Sequence, residues 1–170
     1  VLSLMFASWA VSSWALAVAI WSRAGTRAGK IGVLFLVAAG IGEAMASVFD
    51  INHPLHGLAG IIGIGGLPVA AMLISLSLIH TKEWSDAKKT LLWTANLTWV
   101  SVVLMAATFA IMIGTFVRSG AKIDPQAEIT VLPPGVIGLV GWGNRFLIVA
   151  YCIWVITAAW QAMRVRGQKS

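Results

Sequence analysis

Charge is what this sequence has least of. Only 11% of its 170 residues are Asp, Glu, Lys or Arg, where an ordinary soluble domain carries about 25%. Hydrophobic residues make up 59% and the mean hydropathy is +0.88, so there is too little polar surface to cover a water-facing exterior. A soluble globule and a disordered chain are both excluded. Cysteine is almost absent: Cys152 stands alone in an apolar run, no intramolecular disulfide can form, and the thiol reads as a small buried hydrophobe. Histidines number three. A b-type haem needs two axial histidines, usually on different helices, yet His56 and His80 stand at opposite ends of one segment, about 36 Å apart as a helix. His53 and His56 are too close in sequence to clasp opposite faces, and no cofactor is implied. Also missing is the alternation of polar and apolar residues that a membrane barrel requires.

What is present is five apolar segments, residues 1–22, 31–49, 56–80, 91–117 and 136–163. A bilayer core of about 30 Å is crossed by about 20 helical residues, which each segment supplies. The expected fold is therefore all-α, a polytopic transmembrane helical bundle with five spans in a single domain over residues 1–170. Positive charge supports it independently. Arg23, Arg27 and Lys30 lie in the first loop, Lys82, Lys88 and Lys89 in the third, and Arg164, Arg166 and Lys169 in the tail, nine of the twelve basic residues. The second loop has none, and the fourth offsets Arg118 and Lys122 with Asp124 and Glu128. By the positive-inside rule the chain starts outside and ends in the cytoplasm, a multi-pass protein of the cell membrane. The same placement, in short blocks between apolar runs, argues against nucleic acid despite a pI near 10.1. Segment 1–22 lacks a basic leader and a small-residue cleavage site, so it reads as a span behind a truncated start, with a sixth span expected ahead of it.

Within the spans, Trp9, Trp14 and Trp154 lie deep, where packing is expected, and most of the other tryptophans fit an aromatic belt. Gly57, Gly60, Gly63 and Gly66 recur every third residue and are expected to form one helix-packing face. Pro68 frees a carbonyl about one turn back. Ser75 and Ser77 have no histidine at their depth, which leaves a serine nucleophile without a base.

Charges inside a membrane are costly, about 2.5–3.5 kcal/mol each at a helix centre, and so informative. Two occur. Glu43 lies about 9 Å and Arg145 about 14 Å below the outer surface, counted along their runs, and an ion pair between them is expected, with Asn144 as a further polar partner. Near them lies the outer turn from Phe49 to His56. There Asn52 or His53 caps a helix with Pro54 in its first turn, His56 opens that helix, and Asp50 sits across the turn on the face of Glu43, about 10 Å away. Glu43, Asp50, His56, Asn144 and Arg145 thus form the expected ligand-binding or structural polar site. A metal-dependent hydrolase using His56 and Asp50, with His53, is the competing reading, although the HxxxH or HExxH spacing is missing and no metal is assigned. A small transporter is a third, without a visible internal repeat.

The order of these features resembles the DUF998 family, uncharacterised six-helix membrane proteins of bacteria and archaea. The similarity rests on a basic loop, Gly40 to Gly42 late in the second helix, Phe49 and Asp50 in the turn, His56 opening the next helix, and Gly143, Asn144 and Arg145 in the last. The resemblance implies the six-span architecture and brings no established activity. Taken together, the sequence describes a membrane protein without an assigned catalytic residue, whose expected partners are the bilayer and a lipid or small amphiphile at a polar site in the outer leaflet.

Overall fold

The computed structural model of the chain describes residues 2–120 and 132–167. The loop residues Lys122, Asp124 and Glu128 and the tail residue Lys169 lie outside them. Among the described residues the secondary structure is entirely helical: α1 (Leu2–Trp21), α2 (Arg27–Val48), α3 (His56–Leu78), a 3-10 turn (Lys82–Ala87), α4 (Lys88–Ser119) and α5 (Val140–Gly167). All five α-helices are long and apolar enough to cross a membrane, and the protein is an all-α polytopic bundle.

Helix ends depart from the apolar runs for local reasons. Helix α2 starts at Arg27 because Thr26 caps it, accepting a hydrogen bond from Gly29 N at 3.0 Å. Its first turn is therefore charged. Helix α5 begins only at Val140, since Pro133 to Gly135 form a turn closed by Val136 N donating to Pro133 O at 3.1 Å, with Gly135 at φ 86°. The stretch that follows is tied to α4 by Ile137 N donating to Thr115 Oγ1. At the start of α3 no side chain caps the helix, and Pro54 precedes it. The expected capping residues serve the turn instead: Asp50 Oδ1 accepts from Asn52 N, and His53 Nδ1 accepts from Leu55 N.

The helices pack in a ring, α2 on α1 and α3, α4 on α3 and α5, and α5 back on α1. Leu36, Leu67, Ile74, Leu91, Tyr151 and Trp154 fill its interior. Basic residues at one end make hydrogen bonds to helix carbonyls. Arg23 donates to Ala162 O near the end of α5 at 2.7 Å, and Lys30 donates to Trp21 O at the end of α1 while lying over the Trp21 ring. Cations at the C-terminal ends of helices satisfy orphan carbonyls and oppose the helix dipole. Cys152, expected to be buried, is exposed on the outer face of α5, a position open to an apolar side chain in lipid.

Small residues bring α2 and α3 together. A Cβ on Gly42 would lie 2.4 Å from Gly63 N, and one on Gly32 2.9 Å from Leu73 Cβ. The expected glycine face of α3 is only half used. A step of three residues turns a helix about 300°, so each glycine falls back about 60° from the last. Accordingly Gly63 and Gly66 meet α2, whereas a Cβ on Gly57 or Gly60 would meet nothing within 4 Å.

Pro68 sits buried inside α3. Having no N–H, it leaves the carbonyl of Ile64 without its helical donor. The only tyrosine in the chain fills that place: Tyr151 of α5 donates its hydroxyl to Ile64 O at 2.5 Å. One turn further along α5, Trp154 donates to Ser75 Oγ of α3 at 3.1 Å. These two bonds tie α5 to α3 through the middle of the ring. Tyr151→Phe should cost about 1–2 kcal/mol by stranding the Ile64 carbonyl. Pro68→Ala, which restores an N–H, should recover most of that loss in the double variant, as read by unfolding in mixed micelles; equal losses with and without Pro68→Ala would contradict the pairing.

Candidate functional site

Opposite the basic end, the ring encloses a cavity of about 380 Å³. All five helices reach it. Phe6 and Trp9 come from α1, Glu43 from α2, His56 and Gly60 from α3, Phe109 from α4, and Asn144 and Tyr151 from α5. Small residues contribute to its lining, and a Cβ at Gly60 would meet no atom within 4 Å.

Three of the five sequence-predicted site residues, Glu43, His56 and Asn144, line this one cavity. The other two do not. Asp50 is exposed on the turn, its Oδ1 bonded to Asn52 N. Arg145 is exposed, donates to Gly141 O of its own helix at 3.3 Å, and lies over the Trp142 ring at 5.4 Å.

The expected Glu43 to Arg145 ion pair is therefore not formed. Its physical basis was the depth of Arg145, and α5 starts four residues later than the apolar run. Arg145 is thus only about 8 Å from the helix start, within reach of the interface for a long side chain that snorkels. Glu43, by contrast, is 4% exposed. Its Oε2 accepts a hydrogen bond from the fully buried Ser13 of α1 at 2.9 Å. Sequence reasoning missed Ser13, yet a signal existed: helices consecutive in sequence are commonly neighbours, so a polar residue in α1 is a nearer candidate than one in α5.

Tyr151 and Trp9 were also outside the expected site. Trp9 stacks on Phe6, with ring centroids 6.3 Å apart, and meets Tyr151 edge-on at 5.8 Å. Trp14, the other deep tryptophan of α1, donates to Val37 O. Trp9 has no such partner. Among the described residues two buried side-chain atoms have no hydrogen-bond partner, Trp9 Nε1 and Glu43 Oε1, and both residues line the cavity. Such orphans are rare in folded proteins, and each one needs an explanation.

His56 contributes an acceptor. Its Nδ1 faces Phe49 O at 3.0 Å; a carbonyl only accepts, so Nδ1 carries a proton and the neutral ring keeps a lone pair on Nε2. His53 stacks on Phe49 at 4.2 Å and uses Nδ1 to accept from Leu55 N. Among the described residues no three His, Cys, Asp or Glu side chains are grouped to hold a metal ion. The donor set that a hydrolase would need from His53, His56 and Asp50 is not assembled.

A family model described as a protein of unknown function, DUF998, matches residues 2–161. The chain belongs to the DUF998 family. Neither the curated proteins nor the solved structures contain a match to it. In this DUF998 protein several of the residues that carry the resemblance lie at the cavity end of the bundle, opposite the basic loop. Gly42, His56 and Asn144 line the cavity, Phe49 receives the bond from His56, and Gly143 lets α5 approach α4, where a Cβ would lie 2.7 Å from Thr108 Oγ1.

Stability cycles separate the two arrangements of Glu43. Glu43→Met and Arg145→Gln should add to within about 0.5 kcal/mol, as residues that do not touch do, whereas Glu43→Met and Ser13→Ala should couple by about 1 kcal/mol. Coupling of the first pair above that level would mean that the charges meet.

Proposed function

We propose that this DUF998 protein is a non-enzymatic, membrane-embedded binding protein that takes a small polar or amphiphilic ligand into the cavity between its helices. The observation that carries this reading is the pair of orphaned polar atoms, Glu43 Oε1 and Trp9 Nε1, on the wall of one cavity. An ionisable side chain inside a membrane-spanning bundle is costly unless it has a partner. At about 380 Å³ the cavity falls in the range of small-molecule sites and is mainly apolar with a few polar groups, the usual composition of such sites.

Orientation follows from charge. The basic residues of the first and third loops and the tail put that end of the bundle, with the C-terminus, in the cytoplasm. The cavity then lies in the outer half of the membrane. Its ligand enters from the outer leaflet, and the bilayer is its solvent as well as its source of amphiphiles.

Gly60→Leu tests the reading because a Cβ at Gly60 meets no atom within 4 Å, so the larger side chain fills the cavity without a clash at its root. Protein purified in a neutral maltoside and equilibrated with a total membrane-lipid extract should retain about one amphiphile per chain by native mass spectrometry, and Gly60→Leu none. Equal retention by both, or retention by neither, overturns the proposal.

A further inference from the structure

The polar atoms of the cavity are not balanced, and the imbalance bears on the ligand's chemistry. Glu43 offers Oε1, which has no partner. His56 has its Nδ1 committed to Phe49 O, which leaves Nε2, an acceptor in a neutral imidazole. Tyr151 gives its hydroxyl proton to Ile64 O and retains acceptor capacity. Against these acceptors stand one orphaned buried donor, Trp9 Nε1, and the amide of Asn144, which brings a donor as well as an acceptor to the wall.

An ionised Glu43 would leave the charge unbalanced in the same sense. Glu43 is an acid nine-tenths buried, and among the described residues no Lys or Arg lines the cavity. The one cation in the same half of α5, Arg145, is turned to the exposed face over Trp142. Four aromatic rings, Phe6, Trp9, Phe109 and Tyr151, share the cavity lining with Glu43. Aromatic faces attract cations through the ring quadrupole, most strongly where water is excluded.

Resting on the binding reading above, we infer that the ligand carries a primary ammonium group on an apolar tail. The ammonium is the counter-charge for Glu43. It has three N–H donors, which suit the several acceptors around it better than a quaternary nitrogen with none. A charge-assisted hydrogen bond to Glu43 Oε1 removes the orphan. An acceptor oxygen close to the nitrogen, a hydroxyl or a phosphate, satisfies Trp9 Nε1. The tail leaves along the apolar wall into lipid, since a cavity of about 380 Å³ holds a headgroup and a few carbons but not two acyl chains. An aminophospholipid headgroup and a free long-chain amine share this chemistry.

Matched twelve-carbon probes, dodecylammonium, dodecanol and dodecanoate, are added below micelle-forming concentrations to protein in neutral maltoside, and binding is read by thermal shift. Dodecylammonium should bind best. Glu43→Gln, which keeps an oxygen for Ser13, should weaken it about tenfold and leave dodecanol unchanged. A second arm replaces the probes with nanodiscs of phosphatidylcholine, with and without phosphatidylethanolamine. Stabilisation by phosphatidylethanolamine, competed by dodecylammonium, assigns the source to a lipid headgroup; stabilisation by dodecylammonium alone assigns it to a free amine. Should Glu43→Gln fail to fold, Gly60→Leu replaces it and must abolish dodecylammonium binding. If all three probes bind equally and Gly60→Leu abolishes all of them, the ammonium assignment is overturned while the site stands. If no probe binds, or Gly60→Leu changes nothing, the binding reading fails with it.

Discussion

A polar group inside a hydrocarbon layer has no water to turn to, and the arrangement of this bundle follows from where its polar groups find partners. Each backbone carbonyl freed or exposed within a span must be met from another part of the chain. Pro68 frees the Ile64 carbonyl and Tyr151 meets it from α5. The buried Trp154 N–H reaches Ser75, and the Trp14 N–H reaches Val37 O. Lys30 finishes the end of α1 at Trp21 O, and Arg23 reaches Ala162 O in the last turns of α5. These bonds run between helices, so satisfying them also fixes which helices touch and at what height.

Small residues decide the rest. Where α2 and α3 cross, Gly42 and Gly63 bring the backbones close, and at Gly42 only glycine fits. The close approach and the cavity have one origin, because the glycine series on α3 turns with the helix. Its later members face α2, and Gly60 faces open space at the cavity wall. A tight interface and a binding space are thus produced by the same spacing, and the neighbouring Glu43 is held at their border with one carboxylate oxygen bonded to Ser13 and the other free of protein partners.

Much of this was legible in the sequence. Apolar run lengths found all five helices, and the isolated intramembrane acid marked the residue around which the cavity is built. Helix ends were less legible, because Thr26 capping lies in a charged stretch and Pro133 to Gly135 lie in an apolar one. The late start of α5 leaves Arg145 near the helix end and exposed, so the depth that would pair it with Glu43 is absent. Ser13, Trp9 and Tyr151 escaped because serine and aromatic residues are ordinary in apolar helices, and only the three-dimensional arrangement shows which of them meets a carboxylate or an orphaned carbonyl. The Pro68 signal was half of the Tyr151 answer; its single tyrosine partner was the other half.

Among the described residues two buried side-chain atoms, Glu43 Oε1 and Trp9 Nε1, have no hydrogen-bond partner. If they mark a ligand site, a density map of the protein in lipid nanodiscs should contain an elongated non-protein feature in the cavity, with one end within hydrogen-bonding distance of Glu43 Oε1 and the other directed along the apolar wall. A cavity closed by protein side chains, or one holding water alone between Glu43 and Trp9, would contradict it.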